Sequence, residues 1–209
     1  KKIFFKSTFA IMGHLAKADG QVSKEEIQMA QQVMAQMELS AAMKKEAVNE
    51  FNRGKAPEFN LDAELDEFKQ ACQRQKNLIR MFIEVQLQAA YADGELDDAE
   101  DQILAHICGR LGIPQFAYEQ LKRMLGASQR RGAHQQSRST PEEAYAILGV
   151  SESASDAEVK KAYRRLISQH HPDKLVSKGL PDEMMKIAKE KTQQITEAYD
   201  TIRDLRKAA

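Results

Sequence analysis

Tryptophan is absent from this 209-residue chain, and cysteine, proline and glycine are scarce, at two, five and ten residues. Two cysteines, Cys72 and Cys108, can build neither a disulfide framework nor a CxxC-type zinc site, and they fit a reducing compartment. No apolar run approaches the roughly 20 residues a membrane helix needs, and no signal-peptide h-region is present. Net charge is missing too: 31 basic and 31 acidic residues cancel. That removes bulk electrostatic attraction to nucleic acid as a basis for function and leaves only local patches. Strand-like alternation is lacking, and the few Gly and Pro residues sit at breaks, so the pattern is that of an all-α chain. With 42% hydrophobic and 30% charged residues the chain carries enough apolar material to fold. It begins KKIFFKSTF without an initiator methionine and is expected to be a piece of a longer protein.

Organisation follows from composition. The stretch GASQRRGAHQQSRSTP, Gly126 to Pro141, is polar, poor in aliphatics, and basic through Arg130, Arg131 and Arg138. It reads as a flexible linker, with its arginines as an alternative contact for lipid headgroups or RNA. The chain thus divides into a helical domain over 1–125, a linker over 126–141 and a second helical module over 142–209.

The first domain repeats itself. KADGQVSKEE (17–26) echoes YADGELDDAE (91–100). Ser23 with Glu26, and Asp97 with Glu100, each match a capping box. Apolar residues at helical spacing follow: Ile27, Ala30, Val33, Met34 and Met37 in one copy, Ile103, Leu104, Ile107 and Leu111 in the other. Each unit is read as helix, tight Asp-Gly turn and capped helix. The glycine takes positive φ at the helix end, and the two hairpins bury their stripes against each other. Asp19, Asp93 and Glu95 lack the ligand spacing of a calcium loop and are read as turn and cap acids. The nine methionines mostly fall at helical spacing, as core filling. These paired ADG hairpins resemble the TerB-like fold, an all-helical bundle associated with tellurite-resistance proteins, over about Lys1 to Leu125.

The second module opens at Pro141, a residue suited to a first helical turn. EEAYAIL is a short helix stopped by Gly149. In SDAEVKKAYRRLISQH a capping box, Ser155 with Glu158, starts a longer helix. Its apolar stripe is Val159, Ala162, Tyr163, Leu166, Ile167 and His170; Lys160, Lys161, Arg164 and Arg165 occupy the other side. Pro172 is expected to end this helix, a loop to run through KLVSKGLP, and a third helix to start near Asp182. Met185, Ala188, Ile195, Ala198, Tyr199 and Ile202 form its expected buried face.

The stretch SQHHPDKLVS (168–177) concentrates two histidines, a proline and an aspartate. Catalysis by His171 and Asp173 would need a nucleophile or phosphate motif and a second acid–base set, and the sequence offers neither. A metal held by His170 and His171 would need further ligands at zinc spacing, and these are also missing. A plain helix stop would need the proline but not its neighbours. Recognition remains: a rigid turn presents an imidazole and a carboxylate at the end of a basic helix, and that face would steer and orient a partner able to offer an arginine to Asp173.

YAILGV, SDAEVKKAYRRL, HHPDK and ITEAYDTI, in this order and spacing, resemble a J domain over about Glu142 to Lys207. The resemblance implies that His171, Pro172 and Asp173 are the signature tripeptide engaging a DnaK-type chaperone ATPase and stimulating its ATP hydrolysis. It also implies that Lys160, Lys161, Arg164 and Arg165 form the electrostatic docking face, and that Tyr145, Leu148, Tyr163, Leu166, Ile195, Ala198 and Tyr199 are core. Departures stand out. His170 replaces a frequent aromatic, and Thr192 a usual Phe, with repacking expected around Met185 and Ile187. The final helix reads as short. No Gly/Phe-rich segment or zinc-binding repeat follows. The combination is similar to bacterial J proteins anchored in the inner membrane by one N-terminal helix, with the rest cytoplasmic. It implies a co-chaperone rather than an enzyme, with no cofactor, no nucleic acid and no metal, targeted by the bundle and by an anchor outside this chain. Two rivals are a bundle that senses a ligand or metal, and a scaffold carrying a degenerate J domain.

Overall fold

The computed structural model describes residues 1–18, 28, 30–31, 33–35, 37, 39–72, 75–91, 96–133 and 140–208. Every regular element among these is helical, with no strand. In the first domain they are α1 (Lys2–Leu15), α2 (Ala41–Lys55), α3 (Leu61–Ala71), α4 (Lys76–Ala90), α5 (Asp98–Leu111) and α6 (Gln115–Ala133). The second contains α7 (Pro141–Leu148), α8 (Asp156–His170), α9 (Pro172–Val176), a 3₁₀ turn (Asp182–Met184) and α10 (Met185–Ala208).

Local chemistry sets the helix starts. Ser40 and Asn60 cap α2 and α3 by accepting from the N–H groups of Met43 and Ala63. Reciprocal capping boxes open α5 (Asp97/Glu100), α7 (Thr140/Glu143) and α8 (Ser155/Glu158). Two of these three are the ones read from the sequence; Ser23, Glu26 and the Asp19–Gly20 and Asp93–Gly94 turns lie outside the described residues. Gly112 and Gly149 close α5 and α7 in the left-handed conformation.

The bundle core is aromatic at its centre. Phe68 and Phe82 lie 4.2 Å apart by ring centroid, with Phe4 against both. Of the repeated stripes, Ala30, Val33, Met34 and Met37 in one copy and Leu104, Ile107 and Leu111 in the other are buried, Ile103 is half-buried, and Ile27 lies outside the described residues. Six methionines are buried among the described residues, in keeping with core filling. The cysteines are buried as well, and burial pushes their thiols up, Cys72 to about 11 and Cys108 to about 12. At those values they are inert at neutral pH. Helices α1 and α2 cross with almost no gap. A Cβ on Gly54 would lie 1.7 Å from the Ala10 carbonyl oxygen, and one on Gly13 would lie 2.0 Å from that of Phe51.

In the second module α8 and α10 pack together, with α7 against both. Its core is Tyr145, Ile147, Leu148, Val159, Leu166, Ile195, Ala198 and Ile202, with Tyr163 stacked on Tyr199 at 4.3 Å. Arg206 ties the end of α10 to the Tyr145 hydroxyl (3.0 Å), Asp156 (2.6 Å) and the Ala154 carbonyl (2.7 Å).

Four expectations need correction. Gly126–Ala133 is not flexible tether but the last part of α6. One helical glycine costs only about 1 kcal/mol, and the Ala, Gln and Arg residues that follow are good helix formers; residues 134–139 lie outside the described residues. Pro172 ends α8 but also opens α9, since a missing N–H costs nothing at a first helical position. The final helix is long, at 24 residues. On it Met185 is only half-buried; Met184 and Ile187 fill that space, because the 3₁₀ turn rotates the helix entry.

The two modules share apolar surface. Leu175, Leu180, Met184, Ile187 and Ala188 belong to the bundle's core, and Met124 of α6 belongs to the core of the second module.

Candidate partner-binding site

The tripeptide sits at the junction of α8 and α9. His171 is both the last cap of α8 and the first cap of α9, at φ −59° and ψ 121°, the extended backbone that a residue before proline prefers. Pro172 then fixes the turn. Asp173 is exposed, and its carboxylate makes no hydrogen bond or ion pair to other described residues, while its backbone carbonyl accepts from the Ser177 N–H at 3.0 Å. His171 is half-buried, and its Nδ1 is enclosed without a hydrogen-bond partner among them. Lys174 Nζ donates to Ser168 Oγ at 3.1 Å, bracing the turn from outside.

The four basic residues of α8 are all exposed. Lys160 and Arg164, and Lys161 and Arg165, are one helical turn apart and form two parallel rows. The structure therefore brings every residue singled out from the sequence onto one helix and the turn that follows it. Such an arrangement supplies positive potential, a rigid turn and one carboxylate free of side-chain partners among the described residues. No cluster of three or more histidine, cysteine or acidic side chains able to hold a metal occurs among the described residues.

Behind the turn lies a group that sequence reasoning missed. His170, 1% exposed, has its Nε2 2.9 Å from both carboxylate oxygens of Glu84 on α4. Its Nδ1 lies 2.9 Å from the Leu166 carbonyl oxygen. Arg80 Nε donates to Glu84 at 3.0 Å, and Lys191 Nζ lies 3.8 Å away. A carbonyl and a carboxylate both accept, so each ring nitrogen of His170 faces an acceptor. Thr192 Oγ1 is placed to donate to the His170 carbonyl (3.3 Å) and to that of Ala188 (2.7 Å). Both departures from the J-domain pattern, His170 and Thr192, thus meet at one point. The available signal was a lone Glu84 inside the apolar run MFIEVQL, one turn after Arg80.

Burial pushes the Glu84 carboxyl up. The charges of His170 and Lys191, the His170 hydrogen bond and the Arg80 charge outweigh that and hold it well below the usual carboxylate range. Its folded-state value being depressed, its contribution to stability is complete above the unfolded value of about 4.3 and is lost as pH falls through the folded value. Thermal melts from about pH 6 down to about pH 3 should therefore fall more steeply for the native chain than for Glu84→Gln. Parallel slopes would show that the pair contributes nothing. Near neutral pH, removing one member of such a buried pair costs about 3–5 kcal/mol, since the others are left uncompensated.

A basic helix ending in a His-Pro-Asp turn, packed on a helical bundle, defines the class: J-domain proteins. Comparison with known proteins agrees. Residues 6–123 match the family described as Tellurite resistance protein TerB, and residues 143–209 match the DnaJ domain. The chain is 50% identical to the co-chaperone protein DjlA of Coxiella burnetii, over 99% of this chain and 78% of that protein. It is 45% identical to the proteins of the same name from Shewanella oneidensis, over 98% and 78%, and Vibrio cholerae, over 96% and 77%. No solved structure matches. The chain belongs to the DjlA family of co-chaperones, with a TerB domain followed by a C-terminal J domain.

Proposed function

We propose that the chain binds a DnaK-type chaperone ATPase through His171, Pro172 and Asp173 and the basic face of Lys160, Lys161, Arg164 and Arg165, and stimulates its ATP hydrolysis. The observation that carries this reading is the free Asp173 carboxylate at the end of an exposed basic helix. The chain performs no chemistry of its own. It biases the partner toward its hydrolysing conformation, through differential affinity for the two states. The bundle and a membrane segment outside this chain set where it acts, at the cytoplasmic side of a bacterial inner membrane. No helix among the described residues is long and apolar enough to cross a membrane.

The test is single-turnover ATP hydrolysis by a DnaK-type chaperone with and without the chain. Acceleration that saturates with chain concentration is expected, and its absence would overturn the reading. Charge reversal, Lys161→Glu with Arg165→Glu, should raise the half-maximal concentration by roughly tenfold or more and flatten its salt dependence, because exposed charges act through a screened field. A double variant with the native salt slope would remove α8 from the docking face.

A further inference from the structure

The tripeptide is held from behind by a different domain. His170, which directly precedes it, is held through its ring by Glu84 of the bundle, while Thr192 of its own module is placed to donate to its carbonyl. The segment that follows, from Leu175 to Ala188, sends five side chains into the bundle's core. The Leu78 Cδ2 on α4 stands 3.6 Å from where a Gly179 side chain would begin. At the edge, Lys1 Nζ donates to both carboxylate oxygens of Asp182, at 2.8 and 3.0 Å. Meanwhile Asp173 and the four basic residues of α8 stay exposed. The bundle thus fixes both sides of the turn without covering its outward groups.

We propose that Glu84 is a positioning residue for the J-domain loop: through His170, the TerB-type bundle holds the His171–Pro172–Asp173 turn in the orientation that meets the partner. The bundle is then a part of the recognition device. This rests on the partner reading given above. The physical basis is that a loop populating its binding orientation only part of the time loses apparent affinity in proportion to that fraction. A buried, charged, hydrogen-bonded pair is suited to the task because its geometry is specific and its disruption is costly. An apolar contact alone would let the turn slide. Glu84 faces Arg80 on its own helix, His170 at the end of α8 and Lys191 on α10, so the clasp gathers three elements around one carboxylate.

The test uses the full chain with Glu84→Gln, which keeps shape and removes charge. Single-turnover assays should show the half-maximal concentration raised roughly tenfold, as for a competent fraction near a tenth, with the acceleration at saturation within about twofold of native. Without partner present, amide hydrogen exchange over 171–176 should quicken, while α1 and the middle of α8 keep their protection. Should Glu84→Gln lose the bundle fold, seen by circular dichroism, His170→Gln breaks the same pair from the J-domain side and must give the same two results. An unchanged half-maximal concentration with unchanged exchange at 171–176 would overturn the proposal. Stronger stimulation by the variant would also overturn it, by making the clasp a restraint. If the native chain gives no acceleration at all, the partner reading fails, and the exchange measurement alone decides whether Glu84 holds the turn.

Discussion

Alanine at Gly54 should destabilise the chain by about 3 kcal/mol, even though alanine is the better helix former. The added methyl carbon would sit 1.7 Å from the Ala10 carbonyl oxygen, a backbone atom that no side-chain rotation can move. Helices α1 and α2 would have to separate, opening the core around Phe9, Ala10 and Ala47, all fully buried. At roughly 2–4 °C per kcal/mol for a chain of this size, the melting midpoint should drop by roughly 6–12 °C. Gly13→Ala attacks the same crossing from the other helix and should behave alike. Gly109 on α5 is the control, since a Cβ there meets nothing within 4 Å. Alanine at that position should stabilise by up to about 1 kcal/mol. Thermal denaturation of the three variants side by side checks the sign as well as the size. Equal behaviour at Gly54 and Gly109 would mean that α1 and α2 are not in backbone contact.

The second large effect concerns function with stability untouched. His171→Gln and Asp173→Asn should each remove nearly all acceleration of the partner's ATP hydrolysis. Deleting one member of a desolvated interfacial charge pair costs about 2–5 kcal/mol, which is well over tenfold in affinity. Neither change should lower the melting midpoint appreciably. The Asp173 carboxylate makes no hydrogen bond or ion pair to other described residues, and His171 caps α9 without any side-chain hydrogen bond. Circular dichroism melts that match the native chain, alongside lost acceleration in single-turnover assays, are the expected pair of results. Full acceleration by Asp173→Asn would take the carboxylate out of the interface. Loss at His171 and Asp173 would also contrast with Glu84→Gln, which should weaken apparent affinity and spare the saturated rate. That pattern of results would separate groups that touch a partner from a group that positions them.

Much of this was legible in the residue order because the forces concerned act within a turn or two. A cap and the glutamate three residues later specify a helix start wherever they occur, so the starts at Ser155 and Asp97 could be read directly. The stripe Val159, Ala162, Leu166 and the opposite row of Lys160, Lys161, Arg164 and Arg165 follow from helical period alone. So does the outward display of the basic residues. The turn at Pro172 follows from proline's fixed φ and its effect on the residue before it.

The misreadings arose where local preference is weak. Gly126–Ala133 is polar and contains a glycine, but no residue in it forbids helix, and α6 continues. The choice between Met184 and Met185 as the buried residue depended on a single 3₁₀ turn, which shifts the helical face by a fraction of a revolution. The final helix carries no breaker in its own residues, and it runs to Ala208.

By itself the sequence determined the helical class, the helix starts at Asp97 and Ser155, the outward basic face and the His-Pro-Asp turn. The tertiary structure alone decided that the turn is held from behind. Glu84 and His170 are 86 positions apart, and neither carries a local sign of the other. Their pairing exists only because α4 and α8 are brought together by apolar surface that each domain lends to the other's core. Once water is excluded there, a carboxylate and an imidazole must find each other or pay for solitary burial.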